Sequence, residues 1–256
     1  MASEELRASI DKTLSEFAAV QGAIDNIIEG KHEKRRRRRL TLTRILLLPL
    51  KLVILAVLPF FLLIRASVFV FDSHDWSTWT SLALGIVMAG AVLTVYGAWF
   101  SKKLTGKARL KFIGTKVALP VAIAFSAYSL IYLSSTNAKT GRVRQFYSSV
   151  HPILRVAVST VILIDREIVI TDLQRTPEDY IRMGLPVRES SLHYPGPDGY
   201  VYAMDLRTIG RSERRNQLVE SYFRWMGFRT LRHVGTADHL HVALRPPEAT
   251  SSSAAS

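Results

Sequence analysis

Three long apolar runs constrain this chain more than anything else in it. Residues 45–64, 80–100 and 117–135 are predominantly apolar, and the second and third hold no charged residue. At 1.5 Å of helical rise per residue each spans the ~30 Å hydrocarbon core of a bilayer. Pro49, Lys51 and Pro59 interrupt the first. A lysine near a span end can snorkel to the interface, and prolines can kink a membrane helix. The sequence therefore predicts a membrane domain over 31–135 with three transmembrane helices and a lipid bilayer as its first partner.

Charge has to be read against those runs. The net charge is +13, which in a soluble chain would point to nucleic acid. Residues 31–44 carry eight basic residues and one acidic; residues 101–116 carry six basic and none acidic. These two stretches supply the whole excess, and both flank apolar spans. The run from Lys34 to Arg39 is thus a topological anchor against anionic lipid, and no nucleic-acid partner is expected. Basic flanks favour the cytoplasmic side. The loop with Arg65, Asp72 and Asp75 suits the opposite side. That places the N-terminus in the cytoplasm and residues 136–256 outside it. There is no cysteine, which excludes disulfides and thiolate metal ligands.

Ahead of the spans, residues 1–30 read as an amphipathic helix. Ile10, Leu14, Phe17, Gln21, Ile24 and Ile28 follow a heptad-like spacing, and Gly30 is a plausible stop. The stripe suits packing on a neighbour, including a partner in a membrane-protein complex. The apolar region starts too late for a secretory signal peptide.

After residue 135 the composition becomes that of a small α+β domain over 136–245, entered by a polar linker and followed by a disordered tail, 246–256. A helix is expected over 146–164, and a short strand at 168–171. A helix opened by Pro177 and capped by Thr176 should follow. Strands are expected at 200–206, 230–233 and 239–244. A helix should run from Ser212 to a Gly227 stop. In the 200–206 strand Ala203 and Asp205 share one face while Tyr202, Met204 and Leu206 share the other. In the last strand His239 and His241 point together, away from Leu240, Val242 and Leu244. Both histidines can face Asp205 across a sheet. With His193 upstream, two histidines and an aspartate form a three-ligand set suited to zinc, leaving a position for water. Asp238 precedes the strand, where a loop can turn it inward. The remaining histidines, His32, His74, His151 and His233, are read as structural.

The residues Ser191-x-His193, Ala203-x-Asp205 and Asp238-x-x-His241 resemble the motif of the M15 zinc peptidases. These are D-alanyl-D-alanine carboxypeptidases and peptidoglycan endopeptidases whose small α+β fold is shared with the Hedgehog signalling domain. The resemblance covers roughly residues 146–245. It implies zinc held by His193, Asp205 and His241, a catalytic carboxylate at Asp238, and a substrate-binding arginine at Arg175. His239 would be the first histidine of an HxH form that assists catalysis. Eleven residues separate His193 from Asp205, a longer spacing than the family's usual one, with the excess in the turn-rich 194–199. The catalytic carboxylate is Asp where Glu is commoner.

The resemblance implies a membrane-anchored zinc-dependent peptidase acting on peptidoglycan peptide outside a bacterial cytoplasmic membrane. Between the two candidate bases, Asp238 has the family position and His239 the strand geometry; Asp238 is the preferred one. Two non-enzymatic readings stand beside this. One is an accessory subunit of a membrane complex that uses the domain for docking. The other is a module that binds cell-wall peptide without cutting it.

Overall fold

A computed structural model describes residues 2–182, 184, 186–235 and 238–246. The side chains of most residues before 47, including His32 and all of the N-terminal heptad-like stripe but Gln21, lie outside the described set, as does the 247–256 tail. Two compact units are present, 1–56 and 57–256. The fold is α+β: three long apolar helices, then a small antiparallel sheet with its helices.

Helix α1 runs Ala2–His74. The expected stop at Gly30 is absent. An isolated glycine costs a helix only about 1 kcal/mol relative to alanine, too little to end one with good formers on both sides. Helix α2 (Thr78–Thr105) opens on Ser77, whose side chain accepts from the Thr80 amide, and closes on Gly106. Helix α3 (Leu110–Ile113) passes through a π-helical turn (Gly114–Ala118) into α4 (Leu119–Ile131). The segments Leu47–His74, Thr78–Thr105 and Leu110–Ile131 are each long and apolar enough to cross a membrane, and the chain is read as membrane-embedded. The third ends at Ile131 rather than at 135, because Tyr132 is already extended.

These helices meet on small residues. A Cβ built on Gly85 would lie 2.2 Å from the Leu63 carbonyl oxygen and from Ser67 Oγ. Ser81 and Ala89, one turn to either side, are buried with it. Lipid tails are as apolar as leucine, so close backbone approach and van der Waals contact, rather than exclusion of water, hold such helices together.

The segment expected to be a polar linker is tied down. Asn137 donates from Nδ2 to the carbonyls of Arg166 (3.0 Å) and Ile168 (2.7 Å), and the Lys139 amide donates to the Ile170 carbonyl. Helix α5 (Gly141–Gln145) and a 3-10 turn (Phe146–Ser149) follow. The single helix expected over 146–164 is split. Proline at its first turn starts α6 afresh (Pro152–Ile164), capped by the His151 ring, which accepts from the Ile153 amide. Helix α6 is buried from Pro152 to Val161. His151 is buried as well, bonded to Thr78 Oγ1 at 2.9 Å and packed on Phe71 and Tyr202. Burial, aided by the Arg155 charge, pushes its pKa down to about 3, so the ring is neutral and structural.

Strands β1 (Ile170–Asp172), β2 (Ala203–Arg207), β3 (Arg229–His233) and β4 (His239–Ala243) form one antiparallel sheet in the order β1-β2-β4-β3. Helix α7 (Pro177–Arg182) lies between β1 and β2 in sequence. Helix α8 (Glu213–Met226) starts after Ser212 and stops at Gly227, as expected, although the Ser212 side chain makes no cap bond. Gly227 has φ of 101°, and a Cβ there would meet Val68 of α1 at 2.9 Å, so both conformation and space select glycine. The core gathers Met204, Leu206, Leu240 and Val242 of the sheet with Ile153, Leu154 and Phe223 of the helices. Burying each such side chain contributes roughly 1.5–3 kcal/mol.

Candidate metal centre

Strand register assembles the site. Asp205 of β2 stands opposite His241 of β4, and Arg207 opposite His239. Directly opposed residues of an antiparallel pair share a face, so Asp205, His239 and His241 lie together, away from Leu206 and Leu240. His193 arrives from the loop after α7. Its carbonyl accepts from the Arg175 amide, and the neighbouring Leu192 carbonyl accepts from the Tyr202 amide. Those two bonds moor the loop to the start of β2 and to the segment after β1.

The three side chains converge. His193 Nε2 is 3.3 Å from His241 Nδ1 and 3.4 Å from Asp205 Oδ1, and His241 Nδ1 is 2.8 Å from the same oxygen. A tetrahedral ion with ligands at ~2.0–2.2 Å has ligand–ligand edges of about 3.3–3.6 Å. Two of the three separations are already of that size, and the third is a hydrogen bond that an ion would replace. His193 Nδ1 lies 2.5 Å from the Leu173 carbonyl oxygen. A carbonyl only accepts, so Nδ1 carries the hydrogen, and in the neutral ring Nε2 offers its lone pair to the cluster. Fixing one ring nitrogen on a backbone carbonyl is how metal-bound histidines are commonly oriented. The donor set, two imidazoles and one carboxylate, fits zinc among other transition ions.

The electrostatics agree with a built site. Burial would push the Asp205 carboxyl up, but hydrogen bonds from His193 and His241 hold it well below the usual carboxylate range. Burial likewise disfavours a charged His193 ring, yet the bond to Asp205 and its charge outweigh burial, and the pKa sits above the ordinary value.

The other expected residues separate into two groups. His239 reaches the cluster: its Nε2 is 3.7 Å from Asp205 Oδ2, and its ring stacks on His233 at 4.6 Å. Arg175 reaches it too, with Nη2 3.6 Å from Asp205 Oδ2 and Nε bonded to Asp172 at 2.7 Å. A cavity of about 170 Å³ beside Arg175 is also lined by Arg142, Asp179 and Arg182, but by none of the three cluster residues. Asp238 is held elsewhere. Arg232 grips its carboxylate with Nε at 2.7 Å and Nη2 at 3.0 Å, and Thr208 Oγ1 donates at 2.6 Å. Those bonds, Arg232 first, hold its pKa down at about 2. Arg232 stands opposite Leu240 and so belongs to the other face of the sheet. Sequence reasoning passed over Arg232 and Thr208 and read His233 as structural; the alternation of β3 marks Arg232 as facing away from the cluster, but nothing local links it to Asp238.

Comparison with protein-family models, with curated proteins and with solved structures found no match.

Proposed function

We propose that the protein is a membrane-anchored zinc peptidase of M15 type that hydrolyses a peptide bond in peptidoglycan stem peptides, its C-terminal domain facing outward from a bacterial cytoplasmic membrane. The observation that carries this is the convergence of His193, Asp205 and His241 at separations suited to one tetrahedral ion. The basic residues of 31–44 and 101–116 support the orientation.

His193, Asp205 and His241 would hold the zinc, which when bound polarises the scissile carbonyl and acidifies a water. Leu173 orients the His193 ring through its carbonyl. His239, on the cluster's face, takes the proton and returns it to the leaving amine. Arg175 positions a substrate carboxylate or carbonyl with its fork of donors. Asp238 anchors the entry to β4 through Arg232 and Thr208. This moves the base from Asp238, where family position would put it, to His239.

That engagement of Asp238 is also what favours a second reading, an accessory or binding domain that keeps the metal without hydrolysis. The two separate in one experiment. Full-length protein in detergent should contain one zinc per chain and release D-alanine from D-Ala-D-Ala-terminated peptidoglycan fragments, with chelator abolishing release. Zinc bound stoichiometrically with no cleavage of any fragment would overturn the enzyme reading; absence of metal would overturn both.

A further inference from the structure

A second cavity, of about 560 Å³, opens where the third apolar helix ends. Leu130, Ile131 and Tyr132 form one wall, and Arg144 and Arg155 stand within it. Ile131 is 84% exposed and Tyr132 about half exposed, so the apolar wall continues the surface of the span.

Arg155 is the anomaly. It is only 6% exposed, and Nη1 donates to the Leu130 carbonyl at 2.5 Å. Its Nε is buried without a hydrogen-bond partner among the described residues. Among the described residues no carboxylate pairs with Arg155 or with Arg144. A buried cation without a counter-ion is costly, and burial disfavours its charged form. An anion entering this cavity would remove that cost. Gln145 and Ser148, both exposed, also line the cavity and supply neutral donors.

We infer that this cavity binds the phosphate headgroup of an anionic phospholipid, with Arg144 and Arg155 on the phosphate and the acyl chains along Ile131 and Tyr132. The guanidinium fork matches phosphate oxygens bidentately. The apolar wall selects a phosphate carried on a lipid over a free one. Membrane-embedding of the helices underlies the inference; metal chemistry does not enter it.

The test uses full-length protein, delipidated in non-ionic detergent and titrated with short-chain phosphatidylglycerol while bound lipid is counted by native mass spectrometry. One saturable site is expected. Arg144→Glu, at an exposed position that does not threaten folding, should weaken it about tenfold or more; Arg155→Gln should do at least as much if it folds. Lipid held by the lysine-rich loop is common to all variants and cancels in the comparison. Short-chain diacylglycerol should not occupy the site, and inorganic phosphate should bind far more weakly. Unchanged affinity in Arg144→Glu would overturn the inference. So would diacylglycerol binding as well as phosphatidylglycerol, or inorganic phosphate matching the lipid.

Discussion

The two faces of the β2–β4 ribbon are made by the same ten residues and could hardly differ more. One face presents Asp205, His239 and His241; the other buries Met204, Leu206, Leu240 and Val242 in one core with residues of α6 and α8. Strand alternation alone produces this division. It gives the polar face a rigid backing, so ligands can be held in place without their own hydrophobic core. It also explains Asp238. A residue just before the strand is not bound by alternation, and its carboxylate goes to Arg232, which the pleat has aimed the other way.

The comparison breaks most severely if the faces are not functionally separate. Asp205→Ala should weaken zinc binding at least about 100-fold and abolish any hydrolysis while the domain stays folded. Leu240→Ala, between His239 and His241 in sequence but on the opposite face, should cost about 2–5 kcal/mol in stability and leave zinc stoichiometry intact in whatever folds. Metal content and thermal melts on both variants decide it; metal lost from folded Leu240→Ala would show that the faces are coupled.

A narrower effect separates His239 from Asp238. His239→Ala should lower the hydrolytic rate by ~10²–10⁴ with zinc retained. Asp238→Asn, which loosens the bonds to Arg232 and Thr208, should change the rate by less than about tenfold. The reverse ranking in steady-state kinetics would return the base to Asp238.

The smallest effect is that of pH, and its sign differs with and without metal. Free of metal, His193 has its pKa raised. Its contribution to stability is therefore complete below the unfolded value of about 6.5 and fades as pH rises through the higher folded value. Zinc must displace that proton, so zinc affinity rises with pH by up to about tenfold per unit until the ring has deprotonated. Melts from about pH 6 to 8 should thus diverge, the zinc-loaded protein gaining and the metal-free protein losing this term. Parallel curves would show that His193 is not a ligand.

Much of this was legible beforehand, for identifiable reasons. Alternation placed Asp205, His239 and His241 on one face, and Ser212 with Gly227 bounded α8, because those signals act between neighbours in sequence. What escaped depends on tertiary contact. Nothing around Asn137 says that its side chain will bond to the carbonyls of Arg166 and Ile168, and nothing around Asp238 names Thr208. Gly30 failed as a stop because a glycine without a following breaker does not outweigh the helix formers beside it. Ser81, Gly85 and Ala89 were visible only as apolar filler, although their four-residue spacing marks a helix–helix seam.

The fastening of residues 137–139 onto β1 and the turn before it limits how far this domain can move. A head on a flexible tether explores a radius that grows as roughly 5–6 Å × √n for n residues. A head stitched to its own stalk explores almost none. The cluster then works at one height and one bearing. On the reading proposed above, substrate would be delivered to that point rather than reached by a searching domain.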